Sequence, residues 1–390
     1  MIPRAELSAL QAEWGIREDV VEKDYVLGWL LAAIAAQPEL HDQWVFKGGT
    51  CLRKCFQETY RFSEDLDFTV ARGGPETAED LLPILARVDA WLRERAGIEL
   101  EVTPSIVRRA KNRRGNETTT IRVGYRGPRN PPNLPKVKID LTSDEVLVGP
   151  PDTRRISHPY SDAAAFTVEV TTYPITELLA EKIRALVERC RPRDLYDVIH
   201  VYRHPDLVDA PAAVASALRA KCRHVGIPVP DARAVLGSPF RGELEQEWGN
   251  MLSHQLPHLP AVAEYWAAIE AMFRWLGGAR EATLPRAVGR ERLDPLWTAP
   301  RSMASWGGRP LELIRYAGSN RLKVEIDYRA EQGRQGWRRV EPYSLRQTLD
   351  GHVVLFVVND RGELRSYRTD RIANVRVANE SFVPSHAIEF

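Results

Sequence analysis

A short apolar run leads into two glycines and a threonine, and an Asp-Leu-Asp triplet follows: Phe46-Lys47-Gly48-Gly49-Thr50-Cys51-Leu52-Arg53-Lys54, then Arg61-Phe62-Ser63-Glu64-Asp65-Leu66-Asp67-Phe68. No other stretch of the chain is as constraining. Trp44 to Phe46 reads as a short strand, and a helix starts at the glycine turn, with Leu52, Cys55 and Phe56 recurring at helical intervals down to Tyr60. Such a turn presents free backbone N–H groups and the positive end of a helix dipole, with no Cβ in the way of a phosphate. Leu66, Phe68 and Val70 alternate with Asp65, Asp67 and Thr69, the pattern of a half-buried strand, so both carboxylates point to one face. Two carboxylates so close are unfavourable unless a cation neutralises them, and hard oxygen ligands beside a phosphate suit Mg²⁺. Each element alone reads as a glycine turn or a solvated strand edge. In this order they point to a triphosphate site, with Gly48, Gly49, Thr50, Arg53 and Ser63 around the phosphates and Asp65 and Asp67 on the metal.

Further along, Asp140 lies in the strand Lys136-Val137-Lys138-Ile139-Asp140-Leu141-Thr142, where it either adds a third carboxylate to the metal or caps the turn at Thr142-Ser143. On the helix predicted over Ile175 to Cys190, Lys182 falls among Leu178, Leu179, Ile183 and Leu186 rather than with Glu177, Arg184 and Glu188. A lysine on the apolar face either snorkels to the rim or points into a pocket, and the pocket is the reading favoured here. Asp194 and Asp197 stand at i, i+3 just after Pro192. Taken alone, they read as an N-cap and a surface residue.

The chain has 390 residues, enough for two or three domains, with 54 Lys and Arg against 53 Asp and Glu and 44% hydrophobic residues, which excludes a wholly disordered protein. Cys51, Cys55, Cys190 and Cys222 form no CxxC pair and no disulfide framework, which fits a reducing cytoplasm. The longest apolar run, Leu27 to Ala36, is too short to span a bilayer, and the N-terminus lacks the pattern of an export signal, so a protein that is neither membrane-bound nor exported is expected.

The balanced charge hides a basic segment. Arg108, Arg109, Lys111, Arg113, Arg114, Arg122, Arg126, Arg129, Lys136 and Lys138 face only Glu117 and Asp140 within 105–140, a stretch suited to polyanions. Apolar spacing is helical over 1–36. It predicts a helix over 80–95 and strands near 99–104, 118–125 and 137–142, then helices from 175 to about 277. After a Pro- and Gly-rich stretch from Gly277 to Pro310, read as a linker, short alternating strands follow at 311–316, 323–328, 338–345, 352–358, 364–369 and 372–377. The fold class is therefore α+β, with the order α+β, then α, then a separate small β domain.

The ordered motifs KGGTCLRK, RFSEDLDF, ELLAEKIRAL and RPRDLYDV, with EKDYVLGWLL upstream, resemble the AbiEii/AbiGii family of nucleotidyltransferase toxins, which includes the MenT-type toxins, over about residues 10 to 275. The resemblance implies a DNA polymerase β-like nucleotidyltransferase core over 1–160 and a helical half over 161–277 that completes the active site. Gly48, Gly49 and Thr50 match the family's glycine turn, Asp65 and Asp67 its metal pair, Lys182 its lysine, and Asp194 and Asp197 its RDxxD motif. Thr50 stands where many nucleotidyltransferases have Ser. After the linker over 278–310, residues 311–390 resemble a WYL domain, a small SH3-like β-barrel associated with sensing nucleotides or nucleic acid. The segments Leu313 to Tyr316, Arg339 to Leu345 and Leu364 to Ile372 carry that likeness, although His352-Val353-Val354-Leu355 replaces the naming triplet. Arg365, Arg368 and Arg371 there are either ligand contacts or a solvated rim.

The implied activity is Mg²⁺-dependent transfer of an NMP from an NTP to the 3′ end of RNA, a tRNA acceptor stem foremost, by a toxin with a cognate antitoxin or by a phage-defence effector. Two rivals stand beside it: AMPylation of a protein hydroxyl, and a ligand-sensing regulator with the transferase core as scaffold. The pairs His200 with His204, His254 with His258, and Cys51 with Cys55 lack a third metal ligand, and Trp248, Trp266, Phe273 and Trp275 read as helical core.

Overall fold

The structure, a computed structural model, describes residues 1–111, 115–279, 283–299, 311–331 and 333–390. Arg113 and Arg114 of the basic segment, and 300–310 of the stretch read as a linker, lie outside the described residues. The chain opens with α1 (Arg4–Trp14), α2 (Glu18–Ala35) and α3 (Pro38–His41), and β1 (Trp44–Lys47) then enters α4 (Gly48–Cys51). A π-helical turn, Leu52–Phe56, continues α4 and ends where Gln57 N–H donates to the Leu52 carbonyl, short of the helix expected to Tyr60. β2 (Asp65–Val70), α5 (Ala78–Ala96), β3 (Glu99–Glu101), β4 (Val107–Lys111), β5 (Glu117–Arg126), β6 (Lys136–Thr142), β7 (Asp152–Arg155) and β8 (Glu169–Thr172) complete the first unit.

These strands form one mixed sheet in the order β3-β5-β6-β2-β1-β8-β7, with β4 also paired to β5. β4, β7 and β8 carry no run of alternating apolar residues, and the sequence pattern missed them. One face of the sheet is apolar: Phe46, Leu66, Phe68, Ile121, Ile139 and Leu141 are buried. α2, apolar nearly all round from Val20 to Ile34, packs near this layer and is itself buried on most sides. The other face is polar, and register lines it up. Lys47, Asp67, Asp140, Thr120 and Arg108 are successive cross-strand partners in one row, and Asp65, Lys138 and Arg122 form the next.

The helical half comprises α6 (Ile175–Arg189), α7 (Pro192–Tyr202), α8 (Pro211–Val225), α9 (Ala232–Leu236), α10 (Arg241–Leu252) and α11 (Val262–Leu276). α7 is buried along almost its whole length. Among the described residues no helix is long and apolar enough to cross a membrane.

The last unit begins with a helix, α12 (Leu311–Ser319), where a strand was expected over 311–316. Leu311, Ile314 and Ala317 fall at i, i+3 and i+6 and are all buried. Over so few residues that spacing is hard to tell from alternation. β9 (Leu322–Arg329), β10 (Gln335–Gln347), β11 (Val353–Asn359), β12 (Leu364–Arg368) and β13 (Ile372–Ser381) form an antiparallel sheet in the order β12-β11-β10-β9-β13. Its edge strands β12 and β13 are not paired with each other, so the closed SH3-like barrel expected from the sequence is not formed. Where it is described, the preceding stretch is fastened to this sheet: Arg286 bridges to Ala387, Leu293 bridges to Thr348, and Ala287 is buried with Tyr343, Phe356 and Phe382.

The expectation of an independent β core is corrected at α12. This helix packs against α1 on one side and the sheet on the other, and its apolar residues join the same buried cluster as Leu7, Trp14 and Tyr196. Tyr316 Oη donates to the His258 carbonyl. Asn320 Oδ1 accepts from Tyr196 Oη at 2.9 Å and Tyr265 Oη at 3.4 Å, and Arg315 pairs with Glu312 at 2.7 Å.

Candidate active site

The glycine turn is shaped by what lies against it. Gly48 has φ +82°, and a Cβ there would overlap Asp67 Oδ2. A Cβ on Gly49 would lie 2.7 Å from Arg61 Nη2 and 3.0 Å from Ser63 Oγ. The two glycines therefore seat a carboxylate and a guanidinium against bare backbone. Gly48→Ala adds about 1–2 kcal/mol of backbone strain and pushes the Asp67 carboxylate aside, so we expect transfer to fall at least 100-fold with a lowered melting temperature. Wild-type turnover in that variant would show that Asp67 need not sit where it does.

Thr50, expected at the phosphate, is buried, and its hydroxyl donates inward to the Asp65 carbonyl, tying the turn to β2. Arg53 is not brought to the site. It lies across the π-helical turn, where Nε donates to Asp24 Oδ1 at 2.8 Å, Nη1 donates to the Glu58 and Tyr60 carbonyls, and the guanidinium covers the Phe62 ring. Its neighbour Lys54 completes that buried ion cluster through the other Asp24 oxygen.

Between the polar sheet face and α6 opens a cavity of about 480 Å³. Gly48, Asp67, Thr120, Lys138 and Asp140 line one wall, and Leu178, Lys182, Ala185 and Arg189 line the other. Burial pushes the Asp67 carboxyl up to about 6, with the charges of Asp140 and Asp65 adding to it and those of Lys182 and Lys47 opposing it. Asp65 is also raised, first by burial and then by Asp140, against Lys138. Asp140 accepts from Thr120 Oγ1 at 2.8 Å and pairs with Lys138. It is thus a sheet-face carboxylate rather than the turn cap that its sequence position also allowed.

Lys182 points into the cavity wall and pairs with Asp197 Oδ2 at 2.8 Å and Asp194 Oδ1 at 3.9 Å. Neither aspartate behaves as its local sequence suggests. Both are fully buried, and the N-cap of α7 is Arg191. Arg61 binds both oxygens of Asp197, at 2.7 and 2.9 Å. Arg189 binds both oxygens of Asp194, at 2.6 and 2.8 Å. Burial alone would raise Asp197, but Arg61 and Lys182 outweigh it and hold this carboxyl well below the usual range.

Sequence reasoning missed several contributors. Lys47 pairs with Glu181 at 3.2 Å, and Lys221, wholly buried, pairs with Glu177 at 2.9 Å and Glu181 at 3.4 Å, forming a charged layer under the cavity. Lys47 and Arg61 stand inside the motifs that drew attention to the site, whereas Lys221 has no local signal. Of the discounted histidines, His200 pairs with Gln57 at 2.8 Å and stacks on Tyr196 in the core, whereas His254 pairs with Glu64, beside Asp65, at 2.9 Å.

As the side chains stand, no group of three His, Cys, Asp or Glu among the described residues could hold a metal ion. Asp140 is engaged by Lys138 and Thr120, which leaves Asp65 and Asp67 as the donor pair. These are hard oxygen donors, and the raised Asp67 is a buried negative charge that a cation would relieve, so the residues fit a divalent metal of the Mg²⁺ class.

Residues 29–275 match the family model described as the nucleotidyl transferase AbiEii toxin of a type IV toxin–antitoxin system, and residues 310–377 match the WYL domain. No curated protein matches the chain. Among solved structures, the chain is similar to MenT4, a nucleotidyltransferase toxin from Mycobacterium tuberculosis H37Rv, with 20% identity and a TM-score of 0.46, over 72% of this chain and 91% of that one. It is also similar to the proteasome accessory factor B/C of Arthrobacter aurescens, with 20% identity and a TM-score of 0.19, over 54% of this chain and 32% of that one. The first family match takes in well over half of the residues and holds the glycine turn, the Asp65–Asp67 pair, Lys182 and both α7 aspartates within it, and the chain belongs to the AbiEii family of nucleotidyltransferase toxins, with a WYL domain following the catalytic region.

Proposed function

We propose that the protein transfers an NMP from an NTP to the 3′ end of RNA, with a tRNA acceptor end as the substrate, as the toxin of a toxin–antitoxin or phage-defence system. The observation that carries this reading is the polar sheet face. From Asp67 and Asp65 it runs without a break through Asp140, Thr120 and Lys138 to Arg108 and Arg122. A nucleic acid whose end reaches the carboxylates would lay its backbone along those arginines. Register divides the basic segment, since Arg109 alternates to the opposite side of β4 and pairs with Glu76 and Glu117. Among the described residues of β4 and β5, the cations on the site's own face are Arg108, Arg122 and Arg126, and Arg126 lies at the far edge opposite Glu99, with which it pairs at 3.9 Å.

Mg²⁺ held by Asp65 and Asp67, with Asp140 beside them, would supply charge neutralisation and alignment at the α-phosphate. The bare backbone of Gly48 and Gly49 seats Asp67 and Arg61 against the turn, and Gly48 lines the cavity in which the nucleotide would sit. Lys182 places its ammonium at the cavity, and Asp197, clamped by Arg61, fixes that ammonium in position. We assign the WYL domain a nucleotide or nucleic-acid ligand at a cavity of about 520 Å³ that Arg334, Arg368 and Arg371 line. Arg365 is absent from that lining and pairs with Glu363 at 2.6 Å.

Incubation with each α-³²P NTP, Mg²⁺ and total RNA, followed by a gel that separates RNA from protein, tests the reading. Label on RNA is expected, and label on protein alone would replace it with AMPylation. Arg108→Glu with Arg122→Glu should weaken RNA binding and lower the slope of log affinity against log salt by about 2, one for each lost phosphate contact. An unchanged slope would remove the sheet face from the RNA path.

A further inference from the structure

We infer that Arg189 is the residue that grips the terminal phosphates of the nucleoside triphosphate, with Asp194 as its positioning residue. This rests on the nucleotidyl-transfer reading and adds a nucleotide contact to it. Arg189 ends α6 and lines the same cavity as Gly48, Asp67 and Lys182. It follows Lys182 by two turns, so the two cations lie on one stripe of the helix, about 10 Å apart along its axis. Four cationic side chains line the cavity, and they differ in what they have left to offer. Lys47 is almost fully enclosed beside Glu181, Lys182 is held by Asp197, and Lys138 is engaged by Asp140. The Arg189 side chain stays 55% exposed, although its carboxylate partner is completely buried.

The manner of pairing carries the inference. Nε and Nη2 donate to the two oxygens of Asp194, which uses one edge of the guanidinium and locks its plane. The opposite edge, made of Nη1 and the second Nη2 hydrogen, meets no acceptor among the described residues. A planar fork held rigid on one edge and open on the other is suited to bidentate recognition of a phosphate. A buried carboxylate that spends both oxygens on one exposed arginine would be a poor use of a desolvated charge if that arginine had only a structural role. The far end of the site belongs to the acceptor, because Arg108 and Arg122 lie across β5 on the sheet, away from α6. Lys182 and Arg189 therefore form the nucleotide side, with Arg189 at the mouth where the last phosphates sit.

The test compares wild type, Arg189→Gln and Arg189→Lys. Arg189→Lys keeps a cation for Asp194, and hence the fold, but has no second edge. One charge-assisted contact corresponds to roughly a 10- to 100-fold effect. Both variants should raise KM for the NTP by about that factor, leave KM for the RNA acceptor within about twofold, and lose the preference for NTP over NDP measured by competition binding. Retention of that preference, or a rise confined to the KM for RNA, would overturn the assignment. The binding comparison needs no turnover, so a wild-type protein that transfers nothing would sink the parent reading and still leave Arg189 open to judgement. A melting temperature for Arg189→Lys within a few degrees of wild type excludes misfolding as the cause.

Discussion

Asp67→Asn is expected to lower nucleotidyl transfer by three orders of magnitude or more while leaving the protein folded. The substitution keeps the volume of a side chain that sits against Gly48 and removes only its charge. It should also reshape the dependence of stability on pH. In the folded protein the Asp67 carboxyl lies near 6, above its unfolded value, so its contribution is fully present below about pH 4 and is lost as the pH rises through 6. Asparagine has no such loss. The variant should match wild type near pH 4 and gain on it up to about pH 7, by on the order of 3 kcal/mol at most in metal-free buffer. Adding Mg²⁺ should then raise the melting temperature of wild type and not of the variant, because a ligand stabilises only the state that binds it. Equal Mg²⁺ stabilisation of both proteins would remove Asp67 from the metal site.

Asp197→Ala should be the most damaging single substitution for stability. It strands Arg61, which is 2% exposed, without a counter-charge and leaves Lys182 only its longer contact with Asp194 at 3.9 Å, and breaking a buried pair in this way costs about 3–5 kcal/mol. Urea denaturation with a lowered midpoint and an unchanged slope is the expected signature. Adding Lys182→Met to Asp197→Ala should recover part of that stability, by removing one of the two charges that Asp197 neutralises, without recovering any transfer. That outcome separates the folding role of the cluster from its catalytic one. A midpoint for Asp197→Ala equal to that of wild type would mean the pair contributes nothing net.

The glycine turn and the Asp65–Asp67 strand were legible because each is a local device: the conformation of Gly48 and the alternation of β2 are written in neighbouring residues. The α7 aspartates were legible only through resemblance. Their local setting reads as a cap and a surface position, and what buries them is the docking of a whole helix against α6, α10 and α11. Arg53 misled for a related reason, since proximity in sequence to the glycines does not fix the side of the turn to which a side chain points, and Asp24, which captures it, lies in α2. Lys221 gave no signal at all. A lysine on an amphipathic helix looks solvated until Glu145, Glu177 and Glu181 are brought around it from elsewhere in the chain.

The placement of α12 bears on how such a chain can be inherited. A domain joined by a tether can be gained or lost by recombination at the tether, and its host is unaffected. Here the boundary between the two matched regions in sequence is not a boundary in space. A breakpoint just before Leu311 would strip Asn320 from Tyr196 and Tyr265 and bare the side of α1 that α12 covers. The transferase and the sheet that follows it would have to travel as one unit through a genome, and a descendant that shed the second would need new apolar cover for the first.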